Sequence, residues 1–113
     1  MNKKMFDMII KFSDKTADVF LELDKTLGDE KATEMTEGLD KLVTEYLGFD
    51  RWKDLDDLYE DENLMYLTKE YEDVPKYLKL YMVHEYDNGM VACVSTAESY
   101  HLVPKDYLAK FEG

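Results

Sequence analysis

Apolar residues recur every three or four positions through the first 27 residues of this 113-residue chain. The stripe comprises Phe6, Ile9, Ile10, Ala17, Phe20, Leu23 and Leu27. This is the period of one face of a helix, so the stripe predicts an amphipathic helix that packs against another element. Ser13 and Asp14 are residue types that cap helices, so one long helix and two shorter ones both fit the pattern.

A second helical stripe follows in residues 35–47. It comprises Met35, Leu39, Leu42, Val43, Tyr46 and Leu47 and stops at Gly48. Gly28 is well placed to end the first helix, because glycine readily adopts the left-handed conformation found after helix ends. The connection over residues 28–30 is short, so the sequence predicts antiparallel packing of the two helices.

A short third helix is expected after the second. Phe49 and Asp50 suit the positions of a hydrophobic staple and an N-cap. The helix that they would start carries Trp52, Leu55 and Leu58.

The helical period fades in the second half, where eight of the nine tyrosines lie. Residues 77–86 and 90–96 are rich in aromatic and β-branched residues and flank Asp87-Asn88-Gly89. Asn-Gly between two such segments is a strong signal for a β-hairpin. Residues 100–103 predict another strand, which Pro104 ends. Pro75 would also suit the first turn of a helix over residues 75–86, but the turn that follows favours a strand.

These patterns predict an α+β protein that forms one compact domain over residues 1–113. Residues 1–58 are expected to be helical, with two or three helices. Residues 59–113 are expected to form a small antiparallel β-sheet.

Residues 102–108 read Leu-Val-Pro-Lys-Asp-Tyr-Leu, and this segment resembles the closing strand and one-turn 3₁₀ helix of SH3 domains. The resemblance covers residues 57–111. Leu58-Tyr59-Glu60 stands where these domains often begin, and Ala92 stands where they place a small core residue. The resemblance implies an SH3-like barrel in which Tyr59, Pro104 and Tyr107 match the groove for proline-rich peptides. The tryptophan of that groove is absent, because Gly89 and Met90 occupy its place.

The chain carries 14 basic and 26 acidic residues, for a formal net charge of −12. Residues 49–73 alone contribute −7, against −4 for residues 1–48 and −1 for residues 74–113. The acidic residues are densest at Asp54, Asp56, Asp57, Glu60, Asp61 and Glu62. Such a field repels nucleic acid and attracts a basic protein surface. It also keeps a small protein in solution, and this simpler interpretation remains open.

Residues able to carry chemistry are few and scattered. Cys93 lies between Ala92 and Val94 in an expected buried strand, where a thiol behaves as a small hydrophobic group. His84 and His101 are far apart in sequence. An EF-hand beginning at Asp54 fails, because Leu58 and Tyr59 stand at its fifth and sixth positions. We therefore expect no catalytic residues, no metal site and no cofactor.

The sequence thus favours a small, acidic, non-catalytic interaction protein of the bacterial or phage type, located in the cytoplasm. It would bind or inhibit a partner with a basic surface. In the more specific form of this hypothesis, its carboxylates imitate the phosphates of nucleic acid and occupy a nucleic-acid-binding groove of the partner. The expected partner-binding residues are Asp54, Asp56, Asp57, Glu60, Asp61, Glu62, Tyr59 and Tyr66. Two alternatives remain: a small-ligand or peptide-binding module with an aromatic cleft, and a small enzyme using His84 or His101. Direct binding to nucleic acid or a membrane is not expected, and exposed strand edges make a homodimer conceivable.

Overall fold

The computed structural model describes residues 1–51, 60 and 63–112. The chain divides into two compact units. The helical unit is Lys4–Asp50, and the sheet unit combines Met1–Lys3 with Arg51–Gly113. The α+β prediction is confirmed, since two long helices precede a five-stranded antiparallel sheet. The predicted third helix, with Trp52, Leu55 and Leu58, falls outside the described residues.

The first stripe forms one continuous helix, α1, over Lys3–Leu27, so the alternative with a break near Ser13 is excluded. Helix α2 spans Asp29–Leu47, and Gly28 is the single residue between the two. The Gly28 N–H donates to Asp24 O at 3.0 Å with φ at +92°, which closes α1 in a conformation that glycine adopts at little cost. Gly48, with φ at +84°, ends α2 in the same way.

The two helices run in opposite directions. Met8 and Phe12 of α1 line the same cavity as Leu42 and Tyr46 of α2. A continuous helix rises about 1.5 Å per residue, so residues thirty positions apart would lie about 45 Å from each other. They border one cavity because the chain reverses at Gly28.

The side that the helical unit buries matches the predicted stripes only in part, at Phe6, Val43 and Leu47. The buried side chains are Phe6, Ser13 and Thr16 on α1 and Ala32, Thr36, Val43 and Leu47 on α2. Four members of the second stripe are instead exposed, namely Met35, Leu39, Leu42 and Tyr46. Periodicity gives the direction of an apolar face, but it does not say which part of a wide face the chain covers itself.

The sheet unit contains five strands: β1 Leu64–Leu67, β2 Lys79–Glu85, β3 Met90–Ser95, β4 Tyr100–Pro104 and β5 Leu108–Lys110. Their order across the sheet is β4-β3-β2-β1-β5, and the ladders are antiparallel. The predicted hairpin is confirmed as β2–β3, where Gly89 has φ at +82° and Tyr86 N–H donates to Met90 O at 2.8 Å. The strand interpretation of residues 77–86 is also confirmed.

Both faces of the sheet bury apolar side chains. One face contains Leu67, Val74, Leu80, Val91, Cys93 and Val103, and Tyr71 and Tyr107 pack against them. The other contains Leu64, Tyr81 and Val94, with Val83, Tyr100 and Phe111 packed alongside. Alternation along the strands places successive side chains on opposite faces, so one short sheet supports both clusters.

The resemblance to SH3 domains holds locally but not for a closed barrel. A one-turn 3₁₀ helix is present at Lys105–Tyr107, between β4 and β5. Among the described residues the sheet is open, because β4 and β5 lie at its two ends and pair only with β3 and β1, respectively. With three residues, β5 offers few backbone groups for a further ladder.

Candidate functional site

Two of the eight predicted partner-binding residues lie in the described part of the chain. Glu60 is exposed, and its carbonyl oxygen accepts the Asn63 N–H at 2.9 Å. Tyr66 is half-buried in β1. The other six, Asp54, Asp56, Asp57, Tyr59, Asp61 and Glu62, lie outside the described residues. Because β1 begins at Leu64, the acidic segment leads directly into the strand that carries Tyr66.

Tyr66 belongs to an aromatic cluster that we define as Tyr66, Tyr77 and Phe111. The ring centroid of Tyr66 lies 6.4 Å from that of Tyr77 and 6.5 Å from that of Phe111, with the Phe111 ring nearly perpendicular. The ladders explain this arrangement. Tyr66 pairs with Lys79 on β2 and Ala109 on β5, so these side chains and Phe111, two residues after Ala109, share one face.

Two lysines lie over the rings of the aromatic cluster. Lys76 Nζ is 4.8 Å from the Tyr77 ring centroid, and Lys79 Nζ is 4.5 Å from that of Phe111. Both distances are within the range in which an ammonium group is attracted to the face of an aromatic ring. The faces of these rings are therefore able to bind cations.

Tyr77 is the most exposed member of the cluster, at 66%. Its φ of +71° lies in the left-handed region, which costs a bulky residue about 1–3 kcal/mol. Two backbone hydrogen bonds hold this bend. Tyr77 N–H donates to Leu67 O at 2.8 Å, and Leu67 N–H donates to Leu78 O at 3.1 Å. The fold thus places a large aromatic side chain at the surface at a conformational cost.

Of the three residues matched to the SH3 peptide groove, Pro104 is the last residue of β4 and Tyr107 is the last residue of the 3₁₀ helix that follows. Tyr107 packs edge-on against Tyr71 at 5.8 Å, and Lys69 Nζ lies 5.2 Å from the Tyr107 ring. The Tyr107 carbonyl oxygen accepts hydrogen bonds from both the N–H and the hydroxyl of Thr68, at 2.7 and 2.9 Å. Tyr107 is therefore built into the sheet unit, and the third matched residue, Tyr59, lies outside the described residues.

The sheet places one histidine opposite the cysteine. His101 on β4 pairs with Cys93 on β3, while His84 lies on β2 with its ring 4.8 Å from that of Tyr86. Cys93 is fully buried, and burial raises the pKa of its thiol to about 12. A nucleophilic cysteine reacts as the thiolate. At neutral pH this thiol is protonated, which is the state of a structural cysteine.

Asp73 lies at the surface of the same unit. Its carboxylate is 3.2 Å from Lys3 Nζ. The hydrogen bond from Lys3, followed by the backbone N–H of Asp73 itself and the positive charge of Lys3, lowers the pKa of this carboxyl group, with a smaller contribution from His101. Asp73 is exposed and Lys3 is half-buried, so the pair contributes little to stability.

The helical unit contains an open apolar cavity that the sequence did not single out. It has a volume of about 300 Å³ and is lined by Met8, Ile9, Phe12, Leu42, Val43 and Tyr46. The ligand-module alternative predicted an aromatic pocket between helices and sheet, whereas this cavity lies between α1 and α2. The 4-3-4 spacing of Met35, Leu39, Leu42 and Tyr46 was the signal that could have found it, because this is the spacing of a helix–helix seam.

Some kinds of site do not occur in the described part of the chain. Across residues 1–51, 60 and 63–112, no three His, Cys, Asp or Glu side chains come together as a group that could hold a metal ion. Neither of the two described helices combines the length and the apolar content that crossing a membrane requires. No protein-family model matches the chain, and comparisons with curated proteins and with solved structures find no match.

Proposed function

We propose that this protein is a non-catalytic interaction protein that binds, and by binding inhibits, a partner with a basic surface. The contact would be made by the acidic segment over residues 54–62 together with the aromatic cluster. The observation that carries the proposal is the position of Tyr66. It lies four residues after the end of the acidic segment and belongs to a partly exposed cluster of three rings.

The two parts of this surface have complementary tasks. Carboxylates attract a basic partner over long distances and speed its encounter. Tyrosine rings supply contact area with little side-chain entropy to lose, which is why they are frequent among residues that dominate binding energy. The rings of Tyr77 and Phe111 already bind lysines of this chain, and an arginine of a partner would be attracted to them in the same way. Mimicry of nucleic acid phosphates is the more specific form of this proposal.

The cavity between α1 and α2 supports a second candidate function, the binding of a small apolar molecule. Its volume of about 300 Å³ is at the lower end of the sizes of ligand pockets. Enzymatic activity, the alternative built on His84 or His101, is not part of the proposal. His84 packs against Tyr86, and His101 lies opposite the buried Cys93, whose neutral thiol does not suit a nucleophile.

The test compares two variants that have the same net charge. The first changes Asp56, Asp57 and Asp61 to Asn and Glu60 to Gln. The control changes four exposed acids elsewhere: Asp18→Asn, Glu34→Gln, Glu70→Gln and Asp106→Asn. Each set changes the formal net charge from −12 to −8. Wild type and both variants are used to capture partners from a lysate of the source organism, at low and at high salt, with quantitative mass spectrometry.

We expect a basic protein to be captured by wild type and the control at low salt and lost with the first variant. The purified partner is then titrated calorimetrically with Tyr77→Ala, which should weaken binding, and with Tyr77→Phe, which keeps the ring and should not. Equal capture by the two quadruple variants, or an affinity insensitive to salt, would contradict the proposal.

A further inference from the structure

We propose that a second copy of this chain covers the exposed side of the helical unit, forming a twofold homodimer with a four-helix interface. The surface concerned, called here the apolar helical face, lies on one side of α1 and α2. It comprises Met5, Met8, Phe12 and Val19 on α1 and Met35, Leu39, Leu42 and Tyr46 on α2. The cavity described above lies within it.

The apolar helical face has the pattern of a helix-packing seam. At 3.6 residues per turn, its four members on each helix fall within an arc of about 60°. Scattered surface residues would not share one line along a helix. From Met5 to Val19 the seam extends about 21 Å along α1, which is longer than a pocket that a small molecule would fill.

The area of this face matches what a dimer buries. The eight side chains are exposed by between 38% and 63%. At roughly 200 Å² for a large apolar side chain, about 800 Å² of apolar surface is open to solvent. The largest apolar patch of a typical monomer is about 300–600 Å², whereas each partner of a standard protein interface buries about 800 Å².

The charges along the outer edges of the face identify the occupant. Beyond the seam on α1 lie Lys11 and Lys15, followed toward the C-terminus by Glu22. Beyond the seam on α2 lie Lys31 near its start and Glu45 near its end. Glu34 and Lys41 lie farther round the helix from the seam, and Lys41 Nζ is 3.4 Å from Glu37 Oε1 of the same helix. Met8 and Phe12 are level with Tyr46 and Leu42, since they border one cavity. With α1 and α2 antiparallel, Glu45 is therefore level with Lys11, and Lys31 is level with Glu22.

A twofold axis parallel to the helices makes these edges complementary. It places α1 of one copy against α2 of the other at the same height. Lys11 then faces Glu45 of the other copy, and Glu22 faces Lys31 of the other copy. A twofold axis perpendicular to the helices would instead bring Lys11 and Lys15 of one copy close to the same two lysines of the other copy. Repulsion between these like charges disfavours that arrangement. Opposite charges at the edges of an apolar seam are a common determinant of pairing and orientation between helices.

The first experiment measures mass in solution by sedimentation velocity. Wild type is expected to sediment at twice the 13.3 kDa of the chain. Met8→Glu places a charge in the seam and should give a monomer. Leu21→Glu is the matched control, because Leu21 is 55% exposed against 63% for Met8 but lies outside the seam. This control should remain dimeric.

The second experiment reverses charges along the outer edges of the apolar helical face. These charged side chains are exposed, and their substitution leaves the apolar side chains unchanged. Lys11→Glu and Glu45→Lys should each weaken the dimer at least several-fold, and the double variant should restore it. Restoration is specific to a second copy, because no other partner would compensate a charge reversal within this chain. It also keeps the proposal testable if Met8→Glu does not fold.

Three results would overturn this proposal. The first is a wild-type monomer at every concentration measured. The second is equal dissociation by Met8→Glu and Leu21→Glu. The third is a monomer that binds the apolar dye 1-anilinonaphthalene-8-sulfonate in a one-to-one complex lost in Phe12→Ala, which would assign the cavity to a small molecule. The homodimer and the partner-binding proposal use different units of the chain, so either can fail alone.

Discussion

The two units of this protein differ in how completely they bury their own apolar residues. Among the described residues, the sheet unit buries eleven hydrophobic side chains and exposes two large ones, Tyr77 and Met82. The helical unit buries four and exposes ten. Its buried set also includes three hydroxyl residues, Ser13, Thr16 and Thr36. The sheet unit has a core of its own, whereas the helical unit leaves an apolar face exposed.

This difference separates two kinds of exposed aromatic residue. Tyr77 is held outward by a strained backbone, and Lys76 Nζ lies over its ring, so the ring is at the surface and its faces attract cations. Tyr46 lies in a line of apolar residues on a regular helix and borders a cavity. The first arrangement is typical of a specific contact residue, and the second is typical of a packing surface.

The largest expected effect on stability comes from truncating a buried leucine of the sheet unit, and an exposed leucine of the helical unit is its comparison. Leu80→Ala removes a fully buried side chain from the sheet core and should lower the free energy of unfolding by about 2–5 kcal/mol. Leu42→Ala, in the exposed seam, should lower it by only about 0.5 kcal/mol where the protein is monomeric. Urea denaturation of both variants measures the difference. Equal losses would mean that the helical unit has a core as complete as that of the sheet.

Alkaline pH should act on the sheet unit. Burial raises the pKa of Cys93 and of Tyr86 to about 12 in the folded protein, from ordinary values of 9.0 and 10.0. For both groups the pKa in the folded protein is above that in the unfolded protein. The contribution of the two neutral side chains to the free energy of unfolding is therefore complete below pH 9 and is lost as the pH rises toward 12. The loss due to Cys93 is at most about 1.4 kcal/mol per pH unit.

Denaturation at a series of pH values tests this expectation. Cys93→Ala should remove the part of the loss that begins near pH 9, and Tyr86→Phe the part that begins near pH 10. The slope for Cys93→Ala is compared with the wild-type slope, so the cavity left by the smaller side chain does not affect the result. An unchanged slope between pH 9 and 10 would show that the thiol does not contribute.

A smaller effect is expected at Ser13, in the helical unit. Its hydroxyl is buried and has no hydrogen-bond partner among the described residues. Ser13→Ala should therefore raise the free energy of unfolding by about 1 kcal/mol. Thr36→Ala is the control, because the Thr36 hydroxyl donates to Ala32 O at 2.9 Å, and its loss should destabilise the protein. Destabilisation by Ser13→Ala would indicate that the serine hydroxyl is satisfied.

The sequence predicted those elements whose signals are local. Helical periodicity and glycine stops predicted both helices, because Gly28 and Gly48 adopt the left-handed conformations found at helix ends. The Asn-Gly turn predicted the β2–β3 hairpin. Strand β1 was not predicted, because four residues bounded by charged segments are too short to show alternation. Strand β5 was not predicted either, since Leu-Ala-Lys carries no pattern of its own.

The apolar helical face shows a physical limit to what the sequence alone can predict. Met35, Leu39, Leu42 and Tyr46 follow the period that predicts a packed face, and the chain itself leaves them exposed. An apolar stripe is the same whether it packs within one chain or against another copy. At the other site, Tyr66 was predicted, but its neighbours Tyr77 and Phe111 come together only through strand pairing over 11 and 45 residues.

In the proposed dimer a second copy protects the helical unit, whereas the sheet unit protects itself. Hydrogen–deuterium exchange of wild type, Met8→Glu and Leu21→Glu at one high protein concentration separates these two kinds of protection. We expect faster amide exchange in α1 and α2 for Met8→Glu than for wild type and Leu21→Glu, with equal exchange in β2 and β3 for all three. Identical exchange of the helices in wild type and Met8→Glu would show that no second copy protects them.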